Sequence, residues 1–242
     1  MAAEERQEEG PAEIRLPNPV EKLRGKTAVA LELTGPNFTE RHEAEEWARQ
    51  TIRGLRHVDY SGADLDVVNA LNQTVKAIAD RYEVDVPAIA PHTWVGWTKR
   101  GNAFMSANRE GIRFNPDMAT GIAKEEFLIG WAMGQHSSAA NRDWAGLVSH
   151  EMAHILQDNA RTKAGTLLSV ETSRTITRKY AEAHRAAVGE RRVRAELSDY
   201  AWLGGWQETW ASAFSAYIRD PGTLTPETAK MVSDVLQALN RS

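Results

Sequence analysis

The sequence predicts an α+β fold, mostly helical, with a small antiparallel sheet and one helix built to carry a site. Three observations lead there. Two segments in the first third place apolar residues at helical spacing. Residues 88–116 switch to alternating and aromatic segments, separated by the turn-like strings Lys-Arg-Gly-Asn and Asn-Arg-Glu-Gly. Beyond residue 116 the pattern is helical to the end. Strands grouped between runs of helices, rather than alternating with them, define an α+β layout.

In chain order, residues 1–25 are charged, carry three prolines and lack period, so they are expected as a flexible acidic tail. The tail or linker is taken to run to residue 38, and a single domain spans 39–242. Within the linker, the apolar run TAVALEL (27–33) is a candidate strand. Residues 39–55 open with Thr39 and place Ala44, Trp47, Ala48 and Ile52 near helical spacing. Residues 61–84 carry a clearer stripe of Leu65, Val68, Leu71, Val75 and Ile78. Three antiparallel strands are expected near 92–98, 102–107 and 111–115. Helices follow, with breaks near 134–141, 165–168, 189–190, 204–205 and 220–226. The basic stretch 174–196 contains glutamates and reads as part of a solvated helical insertion over about 165–196.

The bulk numbers exclude several classes. The chain has 242 residues, enough to bury a core without disulfides, and no cysteine. Cys-based zinc fingers and thiol nucleophiles are therefore out. The net charge of −4 gives no electrostatic case for nucleic acid. No apolar run approaches the ~20 residues of a membrane span, and the first twenty residues hold no signal-peptide core. The expectation is a protein that is cytoplasmic as synthesised. Eight tryptophans are many. Those at 202, 206 and 210 step by four and are expected in the core rather than stacked on sugar.

One helix carries the chemistry. His150-Glu151-Met152-Ala153-His154 fits H-E-x-x-H. Residues four apart on a helix differ by about 40° around the axis, so both imidazoles can reach one ion. A catalytic zinc takes three protein ligands and keeps a position for water. Glu151, beside the first ligand, is placed to take a proton from that water. Asn141 reads as the N-cap, with Asp143 in the first turn and Asn159 as an end signal. On the helical wheel, Asp143, His150, Glu151, His154 and Asp158 share one arc, and Trp144, Val148, Met152, Ile155 and Leu156 fill the opposite one. The competing reading is a pair of core histidines with no metal.

The third ligand must come from elsewhere. A His-x-x-Gly-x-x-His extension fails, because Gln157 and Ala160 stand at the required places. His184 lies on a polar helix and is expected at the surface. Glu208, in GGWQETWASAFSAYIRD, is the better candidate. Ala211, Ser212 and Ser215 share its side of a helix, while Trp206, Trp210, Phe214 and Tyr217 lie away from it. Small residues around a short carboxylate let this helix approach a neighbour closely. The other reading of Glu208 is an exposed carboxylate that favours a helix N-terminus.

These residues resemble the zincin metallopeptidases, in the branch whose third ligand is glutamate. The stretch LSDYAWLGGWQETWASAFSAY (197–217) is similar to phage minor-head and virion-associated zincin domains and to the anthrax lethal-factor type of peptidase. The resemblance spans about 55–220. It implies a zincin-like fold, zinc held by His150, His154 and Glu208, Glu151 as general base, and Tyr200 as a donor to the oxyanion. Tyr200 lies eight residues before Glu208, where the family pattern has seven; Gly204-Gly205 falls between. Tyr200 can otherwise be an aromatic packing residue. The family's substrate-binding edge strand corresponds to about 111–115. Asp158 either orients a metal ligand or is a solvated carboxylate at the helix end.

The function implied is a zinc-dependent metallopeptidase, an endopeptidase, acting on a protein or peptide by metal-activated water. Phage or prophage origin, virion association and phage structural proteins as partners come from the resemblance alone. Two alternatives remain open: a non-catalytic structural or interaction protein of a phage head or virion, and a toxin-like effector peptidase.

Overall fold

The computed structural model describes residues 30–33, 35–92, 104–132, 143–162 and 165–241. The tail to residue 29, positions 93–98 and 102–103 of the expected strands, and the break at 134–141 lie outside the described residues. Of the candidate strand at 27–33, residues 30–33 are described and form no strand. The Leu31 amide instead donates to the Ile218 carbonyl at 2.6 Å.

The architecture is α+β, as expected. Helix α1 (Arg41–Thr51) buries Ala44 and Ala48, one turn apart. Helix α2 (Leu65–Tyr82) buries Val68, Leu71, Val75 and Ile78 from the predicted stripe, with Val67 added, and leaves Leu65 half-buried. Four short strands make the sheet, β1 (His57–Val58) before α2, and β2 (Ala88–Pro91), β3 (Met105–Asn108) and β4 (Gly111–Phe114) after it. The remaining helices are α3 (Gly121–Ala132), α4 (Trp144–Asp158), α5 (Val170–Val188), α6 (Glu190–Glu196), α7 (Asp199–Leu203), α8 (Gly205–Arg219) and α9 (Pro226–Arg241). Among the described residues, no helix is long and apolar enough to cross a membrane.

The sheet departs from the expectation of three antiparallel strands. Its order is β1-β2-β4-β3, with β1–β2 and β2–β4 parallel. Only β3–β4 is antiparallel, a hairpin across Arg109 and Glu110. Connections decide this. Two residues can join only an antiparallel pair, whereas β1 and β2 are separated by the whole of α2. Strands β3 and β4 fall at the expected 102–107 and 111–115 and pair antiparallel as expected; of the expected strand at 92–98 only His92 is described, and β1 and β2 lie where no strand is expected. Gly111 makes the β2–β4 contact possible. It has φ +134°, and a β-carbon there would sit 2.1 Å from the Ala88 carbonyl oxygen.

Helix α4 runs through the middle of the molecule and packs on α2, α5, α8 and the sheet, most extensively on α8. The α4–α8 pair is pinned along its length. Ser215 Oγ donates to the Gly146 carbonyl at 2.8 Å, and Trp210 Nε1 to the Ala153 carbonyl at 3.1 Å. At the far end, both terminal nitrogens of Arg219 reach the Asp143 carboxylate. Those pairings make the two helices antiparallel. They bring the first turn of α8 beside the middle of α4.

Candidate metal centre

Helix α4 starts at Asp143, whose carboxylate accepts from the Gly146 amide at 2.8 Å. Asp143 is therefore the N-cap, in the role expected of Asn141, which lies outside the described residues. The helix ends at Asn159, as expected; the Asn159 side-chain Nδ2 donates to the carbonyls of Asp85 and Arg109 at 3.0 and 3.3 Å. Val148, Met152 and Ile155 are fully buried, and Trp144 and Leu156 nearly so, which matches the apolar arc. Of the charged arc, His150, Glu151 and Asp158 are buried too, His154 is half-buried, and Asp143 at the helix start is exposed. His150 and Glu151 are 8% and 6% exposed, because α8 covers them.

Glu208 sits in the first turn of α8. The small residues predicted beside it, Ala211, Ser212 and Ser215, are buried, and so are Trp210 and Phe214 on the anchoring side. The link from α7 to α8 is tight. Gly205 holds φ +83°, a left-handed conformation that favours glycine. Gly204 has an ordinary φ, but a β-carbon on it would lie 2.2 Å from Cγ of Glu208. The Gly-Gly pair thus serves both the chain reversal and the packing of the Glu208 stem.

The three expected ligands converge. His150 Nε2 lies 2.8 Å from Glu208 Oε2, and His154 Nε2 lies 3.7 Å from the same oxygen. One ligand atom from each residue falls within 4.8 Å of the other two. Among the described residues this is the group of three or more His, Cys, Asp or Glu side chains that could hold an ion. Donors about 2.0–2.2 Å from a tetrahedral zinc stand roughly 3.4 Å from one another. The observed separations bracket that spacing, and two imidazoles with one carboxylate are a donor set that suits zinc.

The electrostatics follow from burial and proximity. Burial opposes ionisation of Glu208, but hydrogen bonds and charge from His150 and His154 outweigh it and hold the carboxyl far below its usual range. Burial likewise disfavours the charged form of His154, and Glu208 again outweighs it, so that imidazole is pushed up. Glu151 is pushed up by burial, with both histidines opposing.

Tyr200 lies on α7, its ring 6.1 Å from that of His150. It is 49% exposed, at the lip of the centre rather than in the core. Burial of its inner face, then the charges of Glu208 and Glu151, push its phenol up, so it stays a donor.

Two expectations are corrected. Asp158 is not a solvated carboxylate: it is 3% exposed and takes two hydrogen bonds from Arg174, at 2.8 and 2.7 Å. His184 is not a surface residue. It is buried, its Nε2 3.3 Å from Thr228 Oγ1, and burial pushes its imidazole down. Both errors have one cause. The segment 165–196, expected as a solvated insertion, contains α5, which packs against α4, α8 and α9. No family model, curated protein or solved structure matches this chain.

Proposed function

We propose that this chain is a zinc-dependent peptidase, with the metal held by His150, His154 and Glu208. The observation that carries the reading is the convergence of those three donors beside a buried glutamate on the same helix. When bound, zinc polarises a carbonyl and lowers the pKa of water, so that peptide hydrolysis proceeds at neutral pH. The chain's own groups do the rest. Glu151 accepts a proton at its carboxylate and returns it to the leaving nitrogen. Tyr200 donates its phenolic hydrogen toward the developing oxyanion from the open side of the site.

The substrate is a protein or peptide that adds to the sheet. Strand β4 pairs on both sides, with β2 and β3, so the 111–115 segment is not an edge. Among the described residues the edge beside α4 is β3, and an extended peptide would dock there. A phage or virion setting, with phage structural proteins as partners, is supported by the resemblance of residues 197–217 alone.

The test is Glu151→Gln. Zinc content and far-UV circular dichroism should match wild type, while hydrolysis of a quenched-fluorescent peptide library falls at least about 100-fold. Wild type that holds zinc but cleaves nothing in peptide or protein libraries would overturn the enzyme reading in favour of a non-catalytic virion protein.

A further inference from the structure

Arg185 lies on α5, fifteen positions from the start of that helix and outside the metal centre. We infer that it is a positioning residue: it fixes the α7–α8 turn that carries Tyr200 to the lip of the centre and Glu208 to the metal. The inference rests on the metal reading above.

The guanidinium is spent almost entirely on that turn. One terminal nitrogen donates to the carbonyls of Ala201 and Gly205, at 3.1 and 3.2 Å, and to Thr209 Oγ1 at 2.6 Å. The other donates to the Trp202 carbonyl at 3.0 Å. The guanidinium carbon also lies 3.9 Å above the centre of the Trp202 ring. Each contact has a structural reason. Helix α7 has five residues, too few to hold its shape alone. The carbonyls of Ala201 and Trp202 sit in its last turn, where intrahelical donors run out and a cation is favoured. Gly205 is the left-handed residue of the reversal. Thr209 directly follows Glu208, is fully buried, and its hydroxyl donates a hydrogen bond to the Ala201 carbonyl at 2.7 Å. Arg185 thereby ties the end of α7 to the residue next to the third ligand.

The far end of the same helix makes the matching contact. Arg174 holds Asp158 on α4, one turn beyond His154. Helix α5 is therefore a splint between the helix that carries the two histidines and the one that carries the glutamate. Arg185 supplies the Glu208 end. Lysine cannot reproduce it, because one ammonium on a flexible stem does not present a planar fork to oxygens on four residues.

The experiment compares wild type, Arg185→Lys and Arg185→Met in the full chain. Zinc affinity is read by chelator competition, coordination geometry by the visible spectrum of the cobalt-substituted protein, and folding by circular dichroism. Folded Arg185→Met should bind zinc about tenfold or more weakly and show altered cobalt bands, with Arg185→Lys between it and wild type. A folded Arg185→Met with wild-type affinity and spectrum overturns the inference. If Arg185→Met does not fold, Arg185→Lys decides: weakened affinity with shifted bands upholds it, and wild-type values overturn it. Wild type that binds neither metal overturns the metal reading itself, which separates the two failures.

Discussion

At Gly204 a β-carbon would lie 2.2 Å from Cγ of Glu208 and 2.9 Å from its Cβ. Alanine is tolerated by the local backbone, which has φ −75° and ψ 0°. Gly204→Ala should therefore leave the turn intact and push the Glu208 stem aside. Chelator competition should show zinc bound about ten- to a hundredfold more weakly, while the thermal midpoint moves little. Unchanged affinity would mean that the carboxylate is not a ligand, or that its helix yields. At this scale the sequence was informative for His150, Glu151, His154 and Glu208, because helical periodicity alone decides which residues share a face. It misled for Asp158 and His184. Their burial comes from elements sixteen or more positions away, Arg174 on α5 and Thr228 on α9, and a helical wheel holds no information about those.

The α4–α8 contact is the element on which the centre depends. Ser215 crosses it, fully buried, with its hydroxyl on the Gly146 backbone. Ser215→Ala should cost about 1 kcal/mol, the worth of one hydrogen bond. Ser215→Leu should cost about 1–3 kcal/mol by overpacking, and should weaken zinc binding by separating the helices. Urea unfolding with a zinc titration measures both. If Ser215→Leu binds zinc as well as Ser215→Ala does, close approach of these helices is not what brings Glu208 to the histidines. The close approach itself was legible, from Ala211, Ser212 and Ser215 on the Glu208 side. The parallel sheet was not, because β1 has two residues and β2 four, too short for alternation to show. Helix α5 was misread for a different reason. Its buried face is Ser173, Thr177, Ala181 and His184. Those residues repeat at helical spacing, but they are small or polar, so a search for apolar period passes over them. A stripe of small residues on a charged helix was the available signal.

Across the whole molecule, charged side chains tie together segments that are distant in sequence. Asp85 accepts from Arg53 Nε at 3.0 Å and from Arg161 Nη2 at 2.5 Å, joining the loops after α1, α2 and α4. Burial raises the Asp85 carboxyl, and the two arginines outweigh it, so the net shift is downward. Asp143 is likewise raised by burial and lowered further by Arg219 and the Gly146 amide. A carboxyl depressed in the folded state contributes stability above its unfolded value of about 4, and loses it as pH falls through the folded value. The thermal midpoint should therefore drop as pH falls below about 4, and Asp85→Asn should flatten that limb. An acid limb of unchanged steepness in Asp85→Asn would show that this pairing does not link folding to pH. Among the described residues, the fold thus presents one buried helix, one covering helix and one splint around one cluster of groups that could hold a metal. The direct test is zinc content by mass spectrometry after exhaustive dialysis, in wild type and in Glu208→Ala. Wild type should hold about one ion per chain, and a Glu208→Ala protein that remains folded should lose it. Equal zinc in both proteins, or none in wild type, would contradict the metal reading.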